Sequence, residues 1–105
     1  MNNSKIWISS PHMGGNEQKY IQEAFETNWI ASEGFNLIGF EQDLENYLSK
    51  EVFVCALSSG TAALHLGLIL LGVKAGDEVI CQSMTFSASA NPIVYLGATP
   101  VFIDS

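Results

Sequence analysis

Residues 52–64 read Val-Phe-Val-Cys-Ala-Leu-Ser-Ser-Gly-Thr-Ala-Ala-Leu. The apolar run over 52–57 predicts a buried strand, and the small residues over 58–60 predict a turn. The next stretch, 61–71, is apolar on nearly every side, which is typical of a helix buried inside a larger fold. A strand that leads through a tight turn into a helix is the unit from which α/β folds are built.

The same alternation continues toward the C-terminus. Short apolar runs predict two more strands, over 78–82 and 99–103, and a helix is expected between them near 87–96. Pro92 should either kink that helix or lie in its first turn. Strands that alternate with helices predict a parallel sheet with right-handed crossovers, and near-continuous apolar strands suit a sheet that is covered on both faces. The predicted fold class is therefore α/β.

Toward the N-terminus the pattern is helical but less apolar. Residues 1–14 are expected to form an irregular arm, after which Asn16 can cap a first helix. Residues 28–35 are predicted as a loop, and a second helix should turn Phe40, Leu44, Tyr47 and Leu48 inward. We divide the chain into an arm with two helices over 1–50 and an incomplete strand-and-helix domain over 51–105.

The composition limits the class of protein. The 105 residues carry four lysines, no arginine and eleven acidic residues, for a formal charge of −7. This balance argues against binding to nucleic acid, which requires clustered positive charge. The longest apolar stretch, 66–73, is too short to span a membrane, and no N-terminal signal peptide is evident. We expect a cytoplasmic protein without a metal site, in which Cys55 and Cys81 are buried thiols.

The Ser59-Gly60-Thr61-Ala62 segment is a candidate anion site. The first amides of a helix have no partners within the helix, and the helix dipole adds partial positive charge at that end. Such a site at the end of a parallel strand suits a phosphate, and it requires no arginine. The alternative is that Ser59 only caps the helix, and the pattern by itself favours that alternative. The segment is not a P-loop, because no lysine follows the glycine.

The Thr85-Phe86 pair follows the next predicted strand in the same way. The Phe86 ring is expected at a turn between strand and helix, where it can stack on a flat heteroaromatic ligand. The alternative is an ordinary core position, which is commoner for a phenylalanine taken singly.

Taken in order, these motifs resemble the DegT/DnrJ/EryC/StrS family of sugar aminotransferases. The matching segments are Phe40-Glu41, 59–65, 76–80, Thr85-Phe86, 88–91 and 97–104. The N-terminal text, over 10–17, 19–21 and 30–31, is similar to the aminotransferases of the UDP-bacillosamine pathway, although residues 31–34 depart from their pattern. The resemblance implies the N-terminal part of a fold type I large domain, with a parallel-strand-rich sheet flanked by helices. It also implies a homodimer that uses pyridoxal 5'-phosphate (PLP).

The resemblance assigns roles to individual residues. Glutamate would donate its amino group to the cofactor, giving pyridoxamine phosphate (PMP), which would aminate a nucleotide-linked 4-keto-6-deoxy sugar for polysaccharide biosynthesis. By position, Gly60, Thr61 and Ala62 would hold the PLP phosphate, Ser59 is a candidate to assist them, and Phe86 would stack on the pyridine ring. The candidate substrate contacts are His12, Trp29 and Thr85. A turn-stabilising role for His12 and a packing role for Trp29 remain open, and His65 is interpreted as structural.

The family also requires a lysine that bonds to PLP and an aspartate that holds the pyridinium nitrogen. The chain's lysines (Lys5, Lys19, Lys50 and Lys74) do not lie in the family's lysine motif. We therefore expect the chain to correspond to about the first quarter of such an enzyme, to contain no catalytic residue and to be inactive by itself. Three alternatives stay open: a binding module for phosphate ligands, a purely structural fragment, and a PMP-dependent sugar dehydratase of the same family.

Overall fold

The computed structural model describes residues 9–49 and 51–104. The helices are α1 (Glu17–Glu26), α2 (Phe35–Leu48), α3 (Gly60–Leu70) and α4 (Asn91–Tyr95), and the strands are β1 (Glu78–Gln82) and β2 (Thr99–Ile103). A single 3₁₀ turn, Ser87–Ser89, precedes α4. The chain divides into two compact units, with the boundary between Cys55 and Ala56. Among the described residues, no helix combines the length and the apolar character that crossing a bilayer requires.

In the first unit, α1 begins without the predicted asparagine cap. The Asn16 side chain makes no capping hydrogen bond. Instead, the amides of Gly14 and Gly15 donate to the Glu17 carboxylate, the second of them at 2.7 Å. Hydrogen bonds from the amides of Glu17 itself, Gly14 and Gly15 hold the pKa of the Glu17 carboxyl below its usual value. The Glu17 carboxylate thus orders the two glycines that precede α1, and the predicted Asn16 cap of the helix is wrong.

The end of α1 is a Schellman motif. Asn28 has a φ of 59°, in the left-handed region that asparagine tolerates better than most residues. The amides of Asn28 and Trp29 donate to the carbonyls of Phe25 and Ala24, at 3.2 and 2.8 Å. This pair of bonds satisfies two of the carbonyls at the end of the helix and reverses the chain toward α2.

The second helix begins at Phe35, the last residue of the predicted loop, and ends at Leu48. After it, the amide of Val54 donates to the Glu45 carboxylate at 3.0 Å. The expectation of an inward face is not met, because Phe40, Tyr47 and Leu48 are 53%, 85% and 59% exposed. Periodicity identified the helix, but burial of its apolar stripe requires an opposing surface, which residues 9–49 and 51–104 do not provide.

The second unit contains a parallel two-stranded sheet. β1 and β2 pair in register from Glu78 with Thr99 to Gln82 with Ile103. The ladder extends past both ends, because the Thr99 amide donates to the Asp77 carbonyl at 2.8 Å and the Ser83 amide to the Ile103 carbonyl at 2.9 Å. The predictions of both strands, of their parallel pairing and of an α/β fold are confirmed.

The predicted strand over 52–57 is wrong for this structure, because the described residues of that segment form no strand. A strand exists only through hydrogen bonds to a neighbour, and β1 and β2 pair with each other alone. The segment is also not buried: Phe53 is 99% exposed. Cys55 is exposed as well, whereas Cys81 is buried as expected. An apolar run can be identified from sequence, but its pairing partner cannot.

The core of the second unit depends on how α3 and α4 end. Each ends in a Schellman motif, with Gly72 and Gly97 at φ values of 79° and 72°. After α4, the Ala98 amide donates to the Ile93 carbonyl, and both residues are buried in the core together with Cys81. After α3, the Val73 amide donates to the Leu68 carbonyl, and both side chains pack against that core. The hydrophobic contact that commonly accompanies this motif thus forms the centre of the unit.

Two expectations about these helices need correction. The helix predicted near 87–96 is divided into the 3₁₀ turn and α4, with Pro92 in the first turn of α4, as one of the two alternatives proposed. No residue of α3 is buried, although burial on nearly every side was expected. Leu70 and Leu71, at the end of α3, are 78% and 81% exposed. The composition of α3 suits a buried helix, but only one side of it is covered here.

Candidate functional site

The first turn of α3 carries the candidate phosphate-binding residues. Ser59 has an extended backbone (φ −164°, ψ 160°), and its hydroxyl accepts a hydrogen bond from the Ala62 amide at 3.1 Å. The Ser59 carbonyl accepts from the Ala63 amide, also at 3.1 Å. These bonds leave the amides of Gly60 and Thr61 without an acceptor within the described ranges. The helix cap predicted as the alternative is therefore present, and it occupies one amide, that of Ala62.

This arrangement fits a phosphate. Two free amides at a helix N-terminus point to the same region, and the helix dipole favours negative charge there. A Cβ placed on Gly60 would meet no atom within 4 Å, so a ligand can approach that part of the backbone closely. The Thr61 side chain, half-buried in the same turn, adds a hydroxyl. The cap and the anion site are compatible, since they use different amides.

Phe86 lies at the start of the 3₁₀ turn and is 87% exposed. Its backbone is extended (φ −64°, ψ 143°), and its carbonyl accepts a hydrogen bond from the Ser89 amide at 2.9 Å. Phe86 is therefore not part of the core that the described residues form. An exposed ring on a short, hydrogen-bonded turn is available to stack on a ligand.

Thr85, a candidate substrate contact, makes a side-chain hydrogen bond within its own turn. Its Oγ1 lies 2.8 Å from the Ser89 Oγ, so the two hydroxyls form a hydrogen bond with each other. The sequence interpretation treated Thr85 as a substrate contact and overlooked Ser89. The spacing of the two residues was the available signal, because Ser and Thr hydroxyls commonly bond within a few residues of themselves in turns.

The structure brings the two candidate segments of the second unit together. α3 packs against both the 3₁₀ turn and α4, and His65 of α3 contacts the Tyr95 ring edge-on, with centroids 5.5 Å apart. This contact agrees with a structural role for His65. A cavity of about 300 Å³ lies between α3, β1 and the turn, with Leu64 on one side and Thr85 and Ser89 on the other. Of the candidate residues, Thr85 lines this cavity, whereas Gly60, Thr61, Ala62 and Phe86 do not.

The other candidates, His12 and Trp29, lie in the first unit. His12 is exposed on the arm that precedes α1. Trp29 is 47% exposed and packs edge-on against Phe35, with ring centroids 5.7 Å apart. This contact supports the packing role that was left open for Trp29. Lys5 and Lys50 lie outside the described residues. Within the described ranges, no cluster of three His, Cys, Asp or Glu side chains could hold a metal ion.

Comparison with known proteins extends the local picture. The model of the DegT/DnrJ/EryC1/StrS aminotransferase family matches residues 11–105. A Bacillus subtilis protein named "Putative pyridoxal phosphate-dependent aminotransferase EpsN" is 55% identical over 101 residues, which are 96% of this chain and 26% of that protein. A GDP-perosamine synthase of Caulobacter vibrioides is 42% identical over 102 residues, which are 96% of this chain and 27% of that protein. The matches do not show the expected similarity to the UDP-bacillosamine-pathway enzymes.

Solved structures give the same result. The "Putative sugar aminotransferase Spr1654" of Streptococcus pneumoniae, solved in PMP and PLP forms, matches with a TM-score of 0.82 and 35% identity, over 95% of this chain and 25% of the solved one. The aminotransferase TlmJ of Streptoalloteichus hindustanus matches with a TM-score of 0.81 and 35% identity, over 94% of this chain and 27% of that one. This chain thus spans about a quarter of the length of its relatives. Homologues solved with PLP and PMP confirm the cofactor expected for the family.

Proposed function

The chain belongs to the DegT/DnrJ/EryC1/StrS aminotransferase family, and from that premise we propose that it forms one wall of the PLP site of a nucleotide-sugar aminotransferase. In this proposal the first turn of α3 holds the cofactor phosphate, and the Phe86 turn covers one face of the cofactor ring. We assign neither the catalytic lysine nor the pyridinium-binding aspartate to any residue of this chain.

The observation that carries the proposal is the pair of free amides at Gly60 and Thr61. They lie on a helix that packs against the turn carrying an exposed aromatic ring. Before the reaction begins, a protein must bind PLP through its phosphate and its flat ring. Each candidate segment suits one of them, and both segments belong to the same compact unit.

The residues of this chain then bind and orient the cofactor. The Gly60 and Thr61 amides and the Thr61 hydroxyl donate to the phosphate, and hydrogen bonds to a charged acceptor are stronger than neutral ones. Phe86 restricts the plane of the ring, and its apolar surface excludes water from that face. When bound, PLP supplies the carrier for the amino group and the electron sink.

The substrate is the finer part of the proposal. We infer an amino transfer from glutamate to a nucleotide-linked 4-keto-6-deoxy sugar, carried out by a homodimer. The relatives named as GDP-perosamine synthases support a nucleotide-linked amino sugar as the product. The N-terminal text resembles enzymes of UDP-linked sugars, so UDP is our proposal for the nucleotide. The cytoplasmic location expected from the sequence stays a prediction.

A hybrid enzyme tests the proposal. In it, this whole chain replaces the matching N-terminal segment of the Bacillus subtilis relative, which is 55% identical. PLP affinity is measured by titrating the cofactor-free hybrid and following the visible absorbance of the bound cofactor. We expect the hybrid to bind PLP, and Phe86→Ala to weaken that binding several-fold, because stacked rings contribute about 0.5–1.5 kcal/mol beyond area burial.

The control is Phe102→Ala, which removes an exposed ring of the same unit that lies on β2 and has no role in the proposal. A hybrid that folds but binds PLP equally well with and without Phe86 would contradict the ring contact. For the substrate, 2-oxoglutarate release from glutamate is compared with UDP-linked and GDP-linked 4-keto-6-deoxy sugars. Equal or better turnover with the GDP-linked sugar would refute the choice of UDP.

A further inference from the structure

The Phe86 ring has no packing of its own to hold it in place. It is 87% exposed, so few side chains restrict its position. A residue that stacks on a ligand must nevertheless present its ring at a fixed distance and angle, because the affinity of a rigid contact depends on preorganisation. The position of Phe86 must therefore come from its backbone and from the turn that holds the backbone.

That turn is closed at both sides of Phe86. The Thr85 Oγ1 and the Ser89 Oγ form a hydrogen bond of 2.8 Å, and the Ser89 amide donates to the Phe86 carbonyl at 2.9 Å. Thr85 is exposed, whereas Ser89 is half-buried. The side-chain bond therefore ties the exposed residue before Phe86 to a residue on the packed side of the turn.

The packed side of the turn is fixed relative to the candidate phosphate site. The 3₁₀ turn contacts both α3 and α4, and Ser89 lines the same cavity as Leu64 of α3. A continuous path of contacts thus runs from the helix that carries Gly60 and Thr61, through Ser89 and Thr85, to the backbone of Phe86. Without the hydroxyl pair, the turn would keep the bond between the Ser89 amide and the Phe86 carbonyl, but Thr85 would lose its side-chain link to the packed side.

We propose that Thr85 and Ser89 are positioning residues, whose hydroxyl pair fixes the Phe86 ring for stacking, and that Thr85 does not contact the sugar substrate. The inference rests on the proposed function, since it requires Phe86 to contact the cofactor. It replaces the role that family resemblance gives to Thr85, and it assigns a role to Ser89, which the resemblance leaves without one.

The test measures PLP affinity of the hybrid enzyme by the same titration. Thr85→Val and Ser89→Ala each remove one hydroxyl, and both should weaken PLP binding by a similar factor, roughly two- to tenfold, which corresponds to one net hydrogen bond. Thr85→Ser keeps the hydroxyl and should restore affinity. Ser87→Ala is the matched control, because Ser87 is an exposed serine in the same turn whose hydroxyl has no hydrogen bond in the described chain.

A double-mutant cycle shows whether the hydroxyls act through the ring. In the Phe86→Ala background, Ser89→Ala should cause no further loss of PLP affinity. A merely structural role would lower affinity equally in both backgrounds and would reduce the thermal stability of the cofactor-free hybrid to the same extent. An additive result would therefore overturn the inference while leaving the proposed function intact.

A second readout addresses the substrate. If Thr85 contacts the sugar, Thr85→Val should raise KM for the keto sugar, and Ser89→Ala should not. If it positions Phe86, both variants should leave that KM unchanged, measured at saturating PLP. A KM increase confined to Thr85→Val would overturn the inference. Failure of Phe86→Ala to affect PLP binding would instead refute the proposed ring contact itself, so the two failures are distinguishable.

Discussion

Several residues of this chain use backbone amides for tasks that charged side chains often perform. Glu17 accepts from two glycine amides, Ser59 accepts from the Ala62 amide, and two further amides of the same turn remain free. Backbone amides at a helix N-terminus can bind an anion without the arginine that this chain lacks. The low content of positive charge and the candidate phosphate site are thus consistent with each other.

Replacement of Thr61 by alanine should weaken PLP binding in the hybrid enzyme. The change removes a hydroxyl hydrogen bond to a charged acceptor, worth about 1.5–3 kcal/mol, and leaves both free amides in place. We expect PLP to bind about tenfold or more weakly. The measurement is the absorbance titration, with Ser58→Ala as the control in the preceding loop. Unchanged affinity in a folded Thr61→Ala variant would show that the phosphate is not held there.

The Glu17 carboxylate should titrate with a pKa below its ordinary value. Its pKa is lowered by the amide hydrogen bonds, so the contact with Gly14 and Gly15 is complete above the ordinary glutamate pKa of about 4.3 and is lost as the pH falls through the lowered value. NMR titration of the Gly14 and Gly15 amide shifts measures this directly. Glu17→Gln should abolish the titration, and Glu26→Gln, on the same helix, should not. Amides that titrate at or above the ordinary value would contradict the structure.

In the helices, local sequence determines where the helix ends, and that ending affects the packing. The ends of α1, α3 and α4 follow from Asn28, Gly72 and Gly97, residues that tolerate the left-handed region. In α4 this ending also places Ala98 against Ile93 in the core. The termination of a helix is therefore a local event that determines a tertiary contact.

Gly97→Ala should destabilise the second unit more than Gly72→Ala. Both changes place a Cβ in the left-handed region, at a cost of roughly 1–2 kcal/mol. At Gly97 the new Cβ would also lie 3.0 Å from the Ala75 Cβ, whereas at Gly72 nothing lies within 4 Å. Urea unfolding of the two variants, in the hybrid enzyme, measures the difference. Equal losses of stability would show that the contact with Ala75 relaxes without cost.

Large apolar side chains are exposed in both units of the described chain. Tyr47 and Phe53 in the first unit and Leu71 in the second are each exposed to 80% or more. Exposed apolar surface of this extent is typical of a surface that contacts another part of a protein.

We therefore expect the 105-residue polypeptide to self-associate when it is prepared by itself. Association would remove the exposed side chains from water, and this removal is favourable by about 25 cal/mol for each Å² of apolar area. Analytical ultracentrifugation over a range of concentrations measures the state. Replacement of Phe53 and Leu71 by serine should shift the population toward smaller species. A monomer with a cooperative unfolding transition in dilute solution would contradict this expectation.

The sequence by itself determined the features that depend on near neighbours in the chain. It predicted β1 and β2, the helices other than the division near Pro92, and the free amides in the first turn of α3, because hydrogen-bonding patterns and turn preferences act over a few residues. The series of motifs, in the same order as in the family, also indicated the aminotransferase family. It could not predict the hydroxyl pair of Thr85 and Ser89 from the resemblance, since that contact depends on the exact turn geometry.

Only the tertiary structure decided what is paired and what is covered. The apolar run over 52–57 has the composition of a strand but forms none, and the face predicted as buried on α2 is exposed. The physical reason is the same in both cases. An apolar segment is more stable out of water than in it. A strand ladder or a buried face nevertheless forms only where a second surface provides the hydrogen bonds and the contacts.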